Sequence, residues 1–160
     1  MAGALPQHDH RWYGIELNNR AWAALDEGTV GPDSPPEDRE RILYGTYAST
    51  YHWMHAGTAI NHARGEHLIS TVATRVGRPD LGLHHAHRCL EIAEAHPDEA
   101  EEWDLGFAHE AIARAHAALG DPDAAIAHRD LARGIAAHMD DEEDRAVLDD
   151  VIAGGEWYGI

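Results

Sequence analysis

The chain has 160 residues, enough for one well-buried core and too few for two comfortable domains. Its 29 acidic side chains stand against 12 basic ones, all arginine, for a formal charge of −17. That balance repels phosphate backbones and anionic lipid, so neither nucleic acid nor a membrane is an expected partner, and the absence of lysine excludes Schiff-base chemistry.

Cys89 is the single cysteine, so no internal disulfide forms. The first residues lack a basic region followed by an apolar one, and the cytoplasm is the expected compartment. Histidine is the compositional outlier: if all 14 took a proton the charge would move from −17 to −3.

Residues 1–10, with Pro6 and His8-Asp9-His10 ahead of any periodic pattern, read as a flexible leader. Trp12, Ile15, Trp22, Ala23 and Leu25 predict a helix over Arg11–Glu27, stopped by Gly28. After a Gly/Pro-rich loop, Ser34-Pro35-Pro36-Glu37 reads as a capping box that opens a second helix running to about Ala56. Residues 11–56 would then form an N-terminal hairpin. Leu43, Tyr47, Thr50, Tyr51 and Met54 share one stripe of the second helix, with Gly45, Ala48, His52 and His55 beside it. Seven of the eleven aromatics, Trp12, Tyr13, Trp22, Tyr44, Tyr47, Tyr51 and Trp53, lie in the first third, and the plainest reading makes them the larger half of the core.

A third helix spans about Ala59–Val76 and is closed by Gly77; a fourth spans Pro79–Ala95. A fifth starts near Asp98 and ends at Leu119, a sixth covers Pro122–His138, and a short seventh over 143–153 caps the chain. The carboxylates of Asp140–Asp144 favour the positive end of that last helix. No segment alternates with period two, so the fold class is all-α, about seven antiparallel helices in one domain over 1–160.

VGRPDLGLHHAHRCL (Val76–Leu90) and LGDPDAAIAHRDLAR (Leu119–Arg133) share a glycine, a proline two residues on, an aspartate, then small and aliphatic residues at matched places, 43 residues apart. This pattern resembles the tetratricopeptide repeat, in which a glycine-bearing turn joins two antiparallel helices. The resemblance places Ser70 and Ala113, Gly82 and Ala125, and Cys89 and Ala132 at the family's small packing positions. It departs from the family in its 43-residue spacing, where about 34 is standard, and in Glu66 and His109, which stand where a large apolar residue is usual. It implies two repeat-like hairpins over 59–138 packed in a compact right-handed bundle, and a protein- or peptide-binding adaptor, self-association included, with no intrinsic chemistry.

Two sets of residues could add chemistry. His52 and His55 end the second helix while His62 and Glu66 begin the third, so a short connection would bring three imidazoles and a carboxylate together. That donor set suits a divalent transition metal and gives the alternative function, a metal-binding protein or metalloenzyme. Tyr47, Tyr51, Arg64 and His109 are the candidates for lining a ligand pocket. Glu66 and His109 occupy equivalent repeat positions, which makes a buried acid–imidazole pair conceivable. Zincin, Glu-x-x-His and calcium-loop patterns are missing, as is any phosphate-cradling glycine loop, and no assured cofactor follows.

Overall fold

Two left-handed glycines set the plan of the molecule. In the computed structural model, which describes residues 5–160, Gly77 has φ +83° and Gly120 φ +78°, values that a side chain disfavours. At the first bend Gly77 N–H donates to Thr74 O (3.2 Å) and Arg78 N–H to Ala73 O (2.8 Å). At the second, Gly120 N–H donates to Ala117 O and Asp121 N–H to His116 O, both at 3.0 Å. The two bends therefore close the same pair of hydrogen bonds on residues 43 apart, and a proline starts the next helix after each.

Seven helices result among the described residues: α1 Gln7–Asp26, α2 Pro36–Ala56, α3 Ala59–Arg75, α4 Pro79–Ala95, α5 Glu102–Leu119, α6 Pro122–His138 and α7 Glu142–Ala153. They pack chiefly as the hairpins α1–α2, α3–α4 and α5–α6. Successive odd-numbered helices also touch, α1 with α3, α3 with α5 and α5 with α7, so they form one layer and the even-numbered helices the other.

The first hairpin is a third copy of the unit. Pro36, Pro79 and Pro122 begin α2, α4 and α6 at 43-residue intervals. Gly28 (φ +64°) closes α1 with the same bonds, Gly28 N–H to Leu25 O and Thr29 N–H to Ala24 O, both 3.1 Å. Only the connection differs, since eight residues rather than two separate this glycine from its proline. Equivalent positions are buried in all three copies: Ala21, Ser70 and Ala113 in the odd layer, Thr46, Cys89 and Ala132 in the even one. Small residues there let the helices approach closely. At Gly82 the approach is tight enough that an added Cβ would run into the Thr74 hydroxyl and the Ser70 carbonyl.

Three expectations fail for identifiable reasons. Gln7–His10 form the first turn of α1, with Pro6 O accepting from Asp9 and His10 N–H, and His10 is buried; residues 1–4 of the expected leader lie outside the described residues. Ser34 does not cap α2. Its hydroxyl accepts from Gly31 N–H (3.0 Å) inside the loop, while side-chain acceptors serve the starts of α3 and α5 instead, Asn61 Oδ1 to Thr58 N–H and Asp104 Oδ2 to Glu101 N–H. The apolar faces read for α1 and α2 hold only in part: Leu25 and Thr50 are buried and Trp22 and Leu43 pack on the core, but Trp12, Ile15, Tyr51 and Met54 are exposed, and Gly14, Ala21, Thr46 and Ser49 take the remaining buried positions. The core is thus built from alanine, hydroxyl and aliphatic side chains, and the aromatics of the first hairpin lie largely on its surface.

The far end of the stack is clasped by its own tail. Arg114 on α5 donates to Glu110 (2.5 Å), to Val151 O (2.9 Å) at the end of α7 and to Glu156 O (2.8 Å). Its guanidinium lies 4.1 Å from the Trp157 ring centre, and that of Arg129 lies 5.0 Å from the same ring.

Candidate functional site

The polar groups of the even-numbered layer gather in the crevices between its helices. Between α2 and α4, over α3, a continuous hydrogen-bonded line runs Tyr47–His85–Glu66–His62. Glu66 Oε2 accepts from His85 Nδ1 at 2.5 Å, Glu66 Oε1 accepts from His62 Nε2 at 2.9 Å, and the Tyr47 hydroxyl lies 2.7 Å from His85 Nε2. A carboxylate accepts only, so a neutral His85 carries its proton on Nδ1, and its Nε2 lone pair accepts a hydrogen bond from the Tyr47 hydroxyl. The logic is that of an acid orienting an imidazole that in turn holds a hydroxyl.

Burial by itself would raise the Glu66 pKa. The hydrogen bond and charge of His85, followed by those of His62, outweigh it and hold the carboxyl below its ordinary value. Tyr47 is shifted the other way, raised by burial and by the negative charge of Glu66, so its hydroxyl serves as a proton donor. This line joins Glu66, His62 and Tyr47 to His85, the member that the reading of the sequence missed. The signal was available: His85 lies nineteen residues from Glu66, and His128 nineteen from His109.

His109 and His128 are the same two positions one repeat on. In the crevice between α4 and α6, over α5, His109 Nδ1 and His128 Nδ1 stand 3.0 Å apart with no carboxylate between them. His116 stacks on His128 at 6.1 Å between ring centres, and His87 lies edge-on to both. Burial lowers the pKa of both His109 and His128; for His128 the neighbouring His109, His116 and His87 add to the shift.

The expected quartet His52, His55, His62 and Glu66 divides between two places. His52 and His55 pack with His10, whose Nδ1 is 2.8 Å from His52 Nδ1 and whose ring stacks on His55 at 4.5 Å, while His62 is held by Glu66. Among the described residues no three His, Cys, Asp or Glu side chains are grouped so as to hold a metal ion. The expected pocket set is also spread out. Tyr51 packs against His10 and His55, Tyr47 bonds His85, and His109 bonds His128. Arg64 belongs to the other layer, where it makes a bidentate pair with Asp104 (2.8 and 3.0 Å) under the Trp103 ring.

The chain matches no protein-family model, and no curated protein or solved structure is similar to it. Its chemistry must be read from its own geometry. Cys89 is buried and its thiol is pushed up to about 12, mainly by burial, which keeps it from acting as a thiolate near neutral pH. No helix among the described residues is long and apolar enough to cross a membrane.

Proposed function

We propose that the chain is a helical-repeat docking module, tetratricopeptide-like in plan, that binds a protein or peptide through its first hairpin. One observation carries this reading: the two ends of the stack are finished differently. At the far end α7 and the Arg114–Trp157 clasp pack on the last hairpin, whose exposed large apolar side chains are aliphatic, Leu131 (51% exposed) among them, whereas the first hairpin leaves Tyr44 (68%), Met54 (60%), Tyr51 (56%) and Trp12 (55%) open to solvent. Stacked repeats need polar end caps to stay soluble, and large exposed aromatics are the side chains that carry most binding energy at protein interfaces. With a charge of −17 on the chain, the partner is a segment that pairs apolar side chains with neutral or basic ones.

The test is fluorescence anisotropy with amphipathic basic peptides against the full chain, alongside sedimentation of the chain alone. Saturable binding, or self-association, that Tyr44→Ser with Tyr51→Ser weakens about tenfold or more is the expected result, a loss typical of interface anchors. A monomer that binds none of the peptides, or one whose binding ignores both substitutions, overturns the reading.

A further inference from the structure

The odd-numbered layer holds two adjoining cavities that the docking reading leaves unused. The larger, about 390 Å³, is walled by Trp22 of α1, His67 of α3, Trp103 and Phe107 of α5, and Val147 and Val151 of α7. The smaller, about 310 Å³, shares Trp22, His67, Phe107 and Val151 with it. Such volumes fall within the range of small-molecule sites, about 300–1,000 Å³, which are mostly apolar with a few fixed polar groups.

The charged groups beside the larger cavity are already satisfied by one another. Arg64 is taken by Asp104, and Asp104 also accepts from Glu101 N–H. Deeper in the groove, Glu110 is taken by Arg114, and Arg114 by carbonyls of α7 and the tail. Three buried polar atoms of these walls have no partner, His67 Nε2 and, in the smaller cavity, Ser70 Oγ and Thr74 Oγ1. The His67 ring stacks against Trp22 (5.9 Å) and meets the edge of Phe107 (5.6 Å). Burial pushes its pKa down to about 4, so at neutral pH it is an uncharged ring with one donor and one acceptor nitrogen. An unpaired buried nitrogen is costly, and a ligand that satisfies it recovers that cost.

We propose that the larger cavity binds a neutral small molecule bearing an aromatic ring and one hydrogen-bonding group, with His67 Nε2 as its polar partner. An anion would find no free cation in the walls of the larger cavity, where Arg64 is held by Asp104. A cation would find its best aromatic face, that of Trp103, already covered by Arg64 at 4.2 Å. This site is separate from the first-hairpin surface, and either can fail without the other.

The experiment uses the full chain, ligand-observed NMR and tryptophan fluorescence, since Trp22 and Trp103 form walls. The probes are indole and benzamide, with benzoate and benzylammonium as charged counterparts and toluene as the apolar control. Indole and benzamide should bind saturably, the two ions about tenfold more weakly or worse, as desolvating an unpaired charge demands. His67→Leu should weaken benzamide about tenfold and leave toluene unchanged, the loss of one buried hydrogen bond. Val151→Trp, or Val147→Trp at a more exposed wall position, should fill the cavity and abolish binding in a chain that keeps its helical circular dichroism. Absence of saturable binding by both neutral probes, equal binding of the ions, or binding undiminished in both filled variants overturns the proposal.

Discussion

The crevice over α3 and the crevice over α5 are one piece of architecture with two chemistries. The same two positions, nineteen residues apart, hold Glu66 and His85 in the first and His109 and His128 in the second. With an acid at the centre, every nitrogen facing it has an acceptor and the line extends to Tyr47. With an imidazole there, one ring nitrogen must donate to the other, and two further histidines press in, His87 and His116, the latter with Asp121 Oδ2 3.4 Å from its Nδ1. A repeat thus fixes where side chains meet, while a single residue type decides whether the meeting is a satisfied network or a concentration of like groups.

The largest test of that contrast is removal of the central residue. Glu66→Leu leaves His85 and His62 without their acceptor and should cost about 3 kcal/mol, as breaking a buried pair does, whereas His109→Leu should cost less than about 1 kcal/mol because only one weakly supported bond is lost. Urea unfolding of the two variants measures both; equal losses would erase the distinction. The converse substitution, His109→Glu, should make the second crevice resemble the first. A gain of about 1 kcal/mol is expected, with the His128 ring titrating at a higher pH by NMR.

Acid separates the crevices next. His109 and His128 have folded pKa values below those of the unfolded chain, so the unfolded chain takes up protons first as the pH falls from about 6.5. Their stabilising effect is lost between there and their lowered folded values. His67, at about 4, adds to the same loss. Glu66 also has a depressed folded value, but its contribution is present above the ordinary carboxylate range and disappears only as the pH falls through that lower value. Stability measured from pH 7 to 5 should therefore fall in the parent chain and fall less in His109→Gln with His128→Gln. The smallest effect belongs to Tyr47→Phe, which removes one half-exposed hydrogen bond at the end of the line and should cost about 0.5–1 kcal/mol by thermal unfolding.

Helix punctuation was the legible part of this sequence. Pro36, Pro79 and Pro122 and the glycines at 77 and 120 gave the starts of α2, α4 and α6 and two of the bends, because those residues act through backbone geometry that needs no partner. The inward faces of α1 and α2 were illegible for the opposite reason. Burial of Gly14, Thr46 and Ser49 depends on how close the neighbouring helix comes, which hydropathy does not encode, so Trp12, Tyr13, Tyr44 and Tyr51 were read as core when they lie outside. His62 and Glu66 were rightly seen as neighbours one turn apart, yet their third partner came from α4 rather than from the end of α2. The separation of His52 and His55 from them follows from His10, whose helix begins four residues earlier than its composition suggested.

The longer connection after Gly28 reaches across to the neighbouring unit. Pro32 lies 3.6 Å from where a Cβ on Gly77 would be, and Arg39 donates to Val76 O at 3.5 Å, whereas nothing comes within 4 Å of the same point on Gly120. One hinge of the molecule wears a roof and the other is bare. Limited proteolysis should accordingly enter at Gly120, releasing the final two helices and the clasped tail as a fragment while the roofed hinge stays whole.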